Sequence, residues 1–323
     1  MTVLITGANK GIGLAIAKLF AKNSYPSEII ITSRNLERGT ETKNSLEEEF
    51  PSAKFGLCQL DLLDENSIND LANEIEKKYG KIDILINNSG RSCPPTECQR
   101  SECCLLTFET NFGGTVRLTE KLQPLIRKRI VTVGSGTSMY ALSDCGIDLQ
   151  QKVVNSGLTS EELAKLTQNC VENIKNGLNH DYFMQPKSPS CYVVNDKVRT
   201  LYPHLEAVPM WPQFLCVYCT SKMFIRIQTK IWAEKWASSG VKVFNACPGW
   251  VATNIGGQKA ENALKNGAVT TEQGADVFWW LATTDDENVL DEGNGGFFYN
   301  GRELEMGWGL VERSGKESRK VKL

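Results

Sequence analysis

Short apolar runs alternate along this chain with longer segments in which apolar residues recur every three or four positions. Seven runs rich in Val, Ile, Leu and Phe are predicted strands: 3–5, 29–31, 55–60, 82–86, 130–133, 241–246 and 297–299. Continuous apolar runs are typical of strands that are buried on both faces of a parallel sheet. Segments such as 15–20 and 68–75 have the helical period. The alternation predicts a doubly wound α/β fold with a mainly parallel, seven-stranded sheet.

The stretch 141–212 interrupts this pattern because it contains no strand signal. It holds one segment of helical period near 160–176, followed by several prolines. A structureless loop of such length is rare inside a compact domain. We therefore interpret 141–212 as a partly helical insertion, before Tyr218, in a single domain that spans 1–323. The polar and basic residues 313–323 are predicted to form a flexible tail.

Composition and charge narrow the possible functions. Among 323 residues, 36 Lys and Arg nearly balance 38 Asp and Glu, for a formal net charge of −2. This balance gives no electrostatic reason to expect nucleic acid as a partner. No apolar run approaches the roughly 18 residues that a membrane-spanning helix needs, and the first residues lack the features of a secretory signal. We expect a cytoplasmic protein with neither a nucleic-acid nor a membrane partner.

The eleven cysteines are an odd number scattered over a long chain, so a disulfide framework is not expected. The densest group lacks a neighbouring His and the paired spacing of a zinc site; its members are Cys93, Cys98, Cys103 and Cys104. Cys216 and Cys219 have C-x-x-C spacing but follow a proline-rich segment rather than a first strand. We interpret the cysteines as reduced thiols and expect no bound metal.

A glycine-rich turn, TGANKGIG at 6–13, lies between the first predicted strand and the first predicted helix. Glycines let the backbone turn tightly and approach a pyrophosphate, which the free N–H groups of a helix N-terminus attract. A turn without a ligand is the alternative, but the position between strand and helix favours a dinucleotide site. The residues predicted to contact the cofactor here are Gly7, Asn9, Lys10, Gly11, Ile12 and Gly13.

The residues after the second predicted strand favour one nicotinamide cofactor over the other. NAD sites place an Asp or Glu about 20 residues after the glycine-rich turn, on the ribose hydroxyls. Here the strand ends in Thr32, Ser33 and Arg34, with no carboxylate. Arg34, with Arg38 and Lys10 as helpers, offers positive charge to a 2′-phosphate, although a surface arginine can also be merely solvated. The pattern favours NADP(H).

Tyr218 and Lys222 form a Y-x-x-x-K pair at the start of a predicted amphipathic helix. A spacing of four places both side chains on one helix face. The ammonium group can then stabilise the phenolate and lower the tyrosine pKa from about 10. This short pattern often arises by chance, but here its helix precedes a predicted buried strand.

Taken together, these residues and several further motifs resemble the short-chain dehydrogenases/reductases, most closely the monomeric NADPH-dependent carbonyl reductases. The resemblance covers the chain outside the insertion. The motifs, in the order of that family, are the turn 6–13, Asp61-Leu62, Asn87-Asn88-Ser89-Gly90, Asn111, Ser135, the Tyr218 and Lys222 pair, and Pro248 to Thr253. It implies a Rossmann fold that binds NADP(H).

The resemblance also implies roles for individual residues. Tyr218 is expected to be the general acid in reduction, and Ser135 to hydrogen-bond the substrate oxygen. Lys222 is expected to lower the tyrosine pKa and hold the nicotinamide ribose, while Asn111 bends its helix and positions a relay water. Further cofactor contacts are expected from Asp61, Leu62, Asn87, Gly90, Pro248, Gly249, Val251 and Thr253. Substrate contacts are expected from Ser135, Met139, Tyr140 and Trp250.

The expected function is NADPH-dependent reduction of a ketone, aldehyde or quinone to the alcohol. Two alternatives remain: an alcohol dehydrogenase of the same fold acting on a terpenoid- or alkaloid-like alcohol, and a non-catalytic NADP-binding sensor. The intact set of Ser135, Tyr218, Lys222 and Asn111 argues against the sensor. Because 141–212 separates Ser135 from Tyr218, it must loop out, and we expect it to cover the face through which tetrameric relatives pair. The chain is therefore predicted to be a monomer.

Overall fold

The structure is a computed structural model that describes residues 1–23, 28–94, 100–143, 145, 147–155, 157–176, 192–194, 213–255, 259–299, 302–304 and 310–312. Its strands are β1 (Thr2–Ile5), β2 (Glu28–Ser33), β3 (Phe55–Gln59), β4 (Ile82–Asn87), β5 (Ile126–Val133), β6 (Tyr192–Val194), β7 (Lys242–Cys247), β8 (Phe297–Tyr299), β9 (Arg302–Leu304) and β10 (Leu310–Glu312).

The helices in the same part of the chain connect these strands and cover the sheet. They are α1 (Gly11–Lys22), α2 (Leu36–Glu49), α3 (Glu65–Tyr79), α4 (Ser101–Phe108), α5 (Gly114–Leu122), α6 (Ser138–Ser143), α7 (Ile147–Asn155), α8 (Ser160–Lys175), α9 (Gln213–Lys235), α10 (Ala260–Lys265), α11 (Thr271–Thr283) and α12 (Glu287–Asp291). A π-helical turn, Glu109–Gly113, joins α4 to α5, and short 3-10 turns lie at Gln123–Leu125 and Ala237–Ser239.

The main sheet is doubly wound, as the alternation of strands and helices predicts. Within the described residues its order is β3-β2-β1-β4-β5-β7-β8-β9. Seven of these eight strands run parallel, and they correspond to the seven predicted ones. The eighth, β9, pairs antiparallel with β8 at the edge, with Arg302 opposite Tyr299. Its three residues form no apolar run, so no pattern in the sequence predicts it.

The stretch 141–212, in which no strand is predicted, contains β6. This strand pairs antiparallel with β10, with Val194 opposite Leu310. The prediction of a strand-free stretch is therefore wrong at this point. Three residues are too few to give a periodic signal, and the partner strand lies far along the chain.

Helices of the same stretch pack against α9. The predicted helix near 160–176 corresponds to α8, which begins with a capping box between Thr159 and Glu162. Buried side chains of α7, α8 and α9 share one apolar cluster, which includes Val153, Leu163, Ile174, Phe224, Ile227 and Ile231. That 141–212 is an insertion within one domain of 1–323 stays a prediction. The predicted tail, 313–323, lies outside the described residues.

The sheet is buried on both faces, which explains the continuous apolar runs. Val3 and Ile5 pack on one face with α1, α2 and α11, through side chains such as Phe20. Leu4 packs on the other face with α3, α5 and α9, through side chains such as Trp232. Full burial of such a side chain contributes about 1.5–3 kcal/mol. No helix among the described residues is long and apolar enough to cross a membrane.

Candidate active site

The topology creates a crevice at the carboxyl ends of β1 and β4. From β1 the chain proceeds to β2 and β3 on one side, and later to β4 and β5 on the other. In open α/β sheets, ligands bind at such a switch point, outside the carboxyl ends of the strands. Six predicted site segments follow the carboxyl ends of strands: 6–13 after β1, Arg34 after β2, Asp61 after β3, Gly90 after β4, Ser135 after β5 and Pro248 after β7.

The glycine-rich turn adopts a conformation that depends on its glycines. Gly7 and Gly11 have φ values of 63° and 60°, in the left-handed region that glycine enters without steric cost. A Cβ on Gly13 would come within 2.9 Å of the Gly7 carbonyl oxygen. The turn leads directly into α1, whose N-cap, Lys10, makes no side-chain capping bond. The N–H groups at this helix end therefore face the crevice without a capping side chain.

Thr6 and Asn88 lock the glycine-rich turn to the segment after β4. Thr6 Oγ1 accepts hydrogen bonds from the main-chain N–H groups of Asn88 and Ser89, both at 2.9 Å. Asn88 Nδ2 donates in return to the carbonyl oxygens of Thr6 (2.8 Å) and Gly7 (3.2 Å). No role for either side chain was inferred from the sequence. Their positions beside glycines at two adjacent strand ends are the signal that could have indicated one.

Arg34 lies exposed at the end of β2, where the sequence predicts contact with a 2′-phosphate. Together with Gln59 and Asp61 it lines an open groove of about 590 Å³ beside β3. Asp61 is held by local bonds, since its Oδ1 accepts from the N–H of Leu63 at 3.0 Å. The turn and α2 are in contact here, because Thr42 Oγ1 lies 3.2 Å from the Asn9 carbonyl oxygen. Because Arg34 is exposed, its side chain can reach a ligand at this end of the crevice.

The side chain of Asn87 is buried and is not exposed to the crevice. It is buried between β5 and α5, where Nδ2 donates to Thr119 Oγ1 (2.8 Å) and Thr132 Oγ1 (3.3 Å). As the last residue of β4, its side chain falls on the face that packs against α5. The contact with the adenine-side ribose would then come from the main chain of Asn87, and it stays a prediction.

Ser135, Tyr218 and Lys222 come together although 141–212 separates them in sequence. The Ser135 hydroxyl lies beside the Tyr218 phenol, close enough to lower the pKa of the phenol. Lys222 Nζ lies 5.7 Å from the centroid of the Tyr218 ring, one helical turn along α9. It donates to the Val133 carbonyl at 2.7 Å. The end of β5 and the start of α9 therefore assemble the serine, phenol and ammonium groups in one place.

Burial shifts the pKa values of Tyr218 and Lys222. It raises the pKa of Tyr218 above its usual value, and the nearby Ser135 hydroxyl opposes that rise. Burial also lowers the pKa of Lys222 to about 8. The ammonium group of Lys222 is directed to the Val133 carbonyl. That Lys222 lowers the pKa of Tyr218 stays a prediction.

Replacing Lys222 by Met should stabilise the fold at neutral pH. The unfolded lysine has a pKa of about 10.4, so its burial penalty is fully present below about pH 8 and is lost as the pH rises to about 10.4. We expect Lys222→Met to raise the free energy of unfolding by about 1–3 kcal/mol at pH 7. Urea denaturation at several pH values measures this.

The pH dependence of the stability gain in Lys222→Met distinguishes the cost of burying the lysine charge from the effects of packing. The gain in Lys222→Met should shrink as the pH approaches about 10, whereas loss of the bond to Val133 does not depend on pH. Lys230→Met, on an exposed position of the same helix, is the matched control and should show no pH-dependent change. A constant difference between Lys222→Met and the wild type at all pH values would contradict the burial of this charge.

Asn111 lies in the π-helical turn between α4 and α5. Its Oδ1 accepts from the N–H of Arg91 (2.8 Å), and its Nδ2 donates to the Arg91 carbonyl (2.9 Å) and to Ser221 Oγ (3.1 Å). Ser221 Oγ in turn donates to the Tyr218 carbonyl at 2.7 Å. A Cβ on Gly90 would come within 3.3 Å of Asn111 Oδ1 and 3.8 Å of Lys222 Nζ. Asn111 thus connects the segment after β4 with the helix of Tyr218.

The loop after β7 lies across the crevice from the glycine-rich turn. Gly249 has a φ of 82°, and Val251 forms a parallel bridge with Val269. A Cβ on Gly11 would lie 3.7 Å from Thr253 Cγ2. These positions agree with a loop that covers a ligand bound on the turn.

The predicted substrate contacts are only partly placed in the crevice. Met139 is fully buried, and Arg226 Nη1 donates to its sulfur at 2.8 Å. The Met139 side chain is therefore directed towards α9, and its contact with a substrate stays a prediction. Trp250 is partly buried against the apolar cluster of Ala252, Ala263 and Ala268. The Tyr140 side chain lies outside the described residues.

These observations fit a dinucleotide. The left-handed glycines, the helix end without a capping side chain, and exposed Arg34 leave room and positive charge for phosphates. The fold and the site therefore define a Rossmann-type dinucleotide-binding protein with a Ser-Tyr-Lys group.

Comparison with known proteins supports the same class. A family model described as short chain dehydrogenase matches residues 1–145. The chain is 33% identical over 278 residues to carbonyl reductase [NADPH] 1 of Sus scrofa, which covers 83% of this chain and 84% of the relative. The human carbonyl reductase [NADPH] 1 is 33% identical over 277 residues, with 83% and 87% covered. The chain belongs to the short-chain dehydrogenase/reductase family.

A solved structure shows the same fold over nearly the whole chain. Salutaridine reductase from Papaver somniferum superimposes with a TM-score of 0.69 at 24% sequence identity, covering 93% of this chain and 99% of that one.

Proposed function

We propose that this protein is an NADP(H)-dependent oxidoreductase that reduces a ketone, aldehyde or quinone to the alcohol. The pair of Ser135 and Tyr218 carries the proposal, because two hydroxyl groups lie side by side at the carboxyl end of the sheet, with Lys222 Nζ 5.7 Å from the centroid of the Tyr218 ring. The names of the relatives, carbonyl reductase [NADPH] 1, support both the cofactor and the reaction class.

The chain offers distinct groups to each part of the cofactor. The turn 6–13 and the N-terminus of α1 would hold the pyrophosphate, and Arg34 with Lys10 the 2′-phosphate. Asp61 and the buried Leu62 lie where the adenine is expected, at the end of β3. When bound, NADPH supplies the hydride; the protein supplies alignment and the proton.

Tyr218 is proposed to donate its proton to the carbonyl oxygen of the substrate. Burial raises its pKa, so the phenol stays protonated at neutral pH and can act as a general acid. Ser135 would donate a hydrogen bond to the same oxygen and stabilise its developing negative charge.

Lys222 is proposed to restore the proton on Tyr218 after turnover. With its pKa lowered to about 8, its ammonium group is charged at neutral pH yet able to release a proton. Asn111, held by Arg91 and Ser221, would fix the position of a relay towards solvent. The proton thus passes from solvent to the substrate oxygen by way of this chain's own side chains.

Oxidation of NADPH in the presence of quinones, aromatic aldehydes and cyclic ketones tests the proposal. We expect turnover with at least one of these carbonyl compounds, and tight binding of NADPH measured by its fluorescence. Tight binding without turnover on any carbonyl would contradict the enzymatic proposal and favour a sensor. Failure to bind NADPH would contradict the cofactor assignment itself.

We further propose that the protein is a cytoplasmic monomer. Helix α9 has a strongly apolar face, and an uncovered face of this kind forms a patch of roughly several hundred Å² that soluble monomers avoid. Leu163 and Ile174 of α8 share an apolar cluster with Phe224 and Ile231 of α9, which supports covering of this face by 141–212.

Light scattering should therefore give the mass of one chain, 35.9 kDa. Replacing 141–212 by a short linker should expose α9 and produce dimers or aggregates. A stable tetramer of the full chain would contradict the proposal.

A further inference from the structure

Thr137 lies two residues after Ser135 and makes two contacts with the hydroxyl oxygen of Ser135. The main-chain N–H of Thr137 donates to Ser135 Oγ at 3.2 Å, and the two side-chain oxygens are 2.9 Å apart. Both residues are nearly buried. No motif in the sequence assigns a function to Thr137.

The donor in the bond between the two side chains follows from counting hydrogens once the role of Ser135 is taken from the proposed function. A serine hydroxyl has one hydrogen and two lone pairs. The N–H of Thr137 uses one lone pair, and by geometry either oxygen can be the donor in the bond between the side chains. When Ser135 gives its hydrogen to the substrate oxygen, it has none left for Thr137, so the Thr137 hydroxyl is the donor and uses the remaining lone pair.

We infer that Thr137 is a positioning residue that directs the Ser135 hydrogen into the crevice, towards the substrate oxygen when substrate is bound and towards the Tyr218 oxygen when it is not. With both lone pairs of Ser135 occupied by Thr137, the hydrogen can point only into the crevice. Without the Thr137 hydroxyl, Ser135 could rotate and lose its orientation. The inference rests on the proposed function, because orientation matters only when Ser135 stabilises a developing oxyanion.

Thr137→Val keeps the branched shape and the main-chain N–H but removes the hydroxyl. We expect kcat for a verified carbonyl substrate to fall about tenfold, as for one hydrogen bond expressed in the transition state. Binding of NADPH and the thermal midpoint should change little. Thr137→Ser keeps the hydroxyl and should recover at least half of the lost activity.

Two further measurements distinguish orientation from a structural effect. In alcohol oxidation Tyr218 must be deprotonated, so Thr137→Val should move the midpoint of the pH profile upward. Thr137→Val and Ser135→Ala should also be non-additive, with the double variant no slower than Ser135→Ala alone.

The outcomes separate this inference from the proposed function. An active wild type with an equally active Thr137→Val would overturn the inference, as would additive losses in the double variant or an equal loss in Thr137→Ser. A wild type that binds NADPH but reduces no carbonyl would instead overturn the proposed function, and with it the basis of the inference.

Discussion

Replacing Tyr218 by Phe should lower kcat by about 100- to 10,000-fold, the range expected for loss of a general acid. Phe keeps the ring and almost all of the volume but has no proton to donate. Because the glycine-rich turn and Arg34 are untouched, the dissociation constant of NADPH should change little. Stopped-flow measurement of NADPH oxidation, with fluorescence titration of cofactor binding, gives both values.

Tyr79→Phe is the matched control for this variant. Tyr79 is also a partly buried tyrosine, but it lies at the end of α3, beside Gly56 of the edge strand. Its loss of a hydroxyl should leave kcat within about twofold of the wild type, as for a substitution outside the site. If Tyr218→Phe retained more than half of the wild-type rate, Tyr218 would not be the acid.

Arg34→Asp should shift the cofactor preference from NADPH towards NADH. The substitution replaces a charge-assisted contact with the 2′-phosphate by like-charge repulsion at the same place. The ratio of kcat/KM for NADPH to that for NADH should fall about 100-fold, mostly through KM for the cofactor. Steady-state kinetics with both cofactors measures this ratio.

Arg127→Asp makes the same change of charge at an exposed position near the start of β5, at the opposite end of the strand from the crevice. The ratio should stay at the wild-type value in this control. An unchanged ratio in Arg34→Asp would refute the assignment of Arg34, and an equal shift in both variants would attribute the effect to net charge.

The sequence predicts the parallel sheet well because its strands are buried on both faces. Each of these strands leaves an apolar run that periodicity can detect, and the short connections fix the order of β1 to β5. The strands β6, β9 and β10 are not predicted because each has only three residues, too few to give a periodic signal. In addition, β6 and β10 pair with each other although they lie far apart in the chain.

Which way a site side chain points is harder to predict than where the residue lies. Asn87 ends β4 and Met139 lies in α6 beyond β5, and packing against α5 and α9 buries both side chains. Likewise, the spacing of Tyr218 and Lys222 puts them on one face, yet a carbonyl of β5 attracts the ammonium group. These outcomes depend on neighbours that are distant in sequence.

Transfer of deuterium from NADPH labelled at nicotinamide C4 tests the central claim most directly. A reduced aldehyde or ketone should carry the deuterium on the carbon that bears the new hydroxyl group. The same reaction with unlabelled NADPH in heavy water should leave that carbon unlabelled, because the exchangeable proton goes to oxygen. Mass spectrometry or NMR of the alcohol distinguishes these products. An alcohol whose carbon takes its label from heavy water rather than from NADPH would contradict the account.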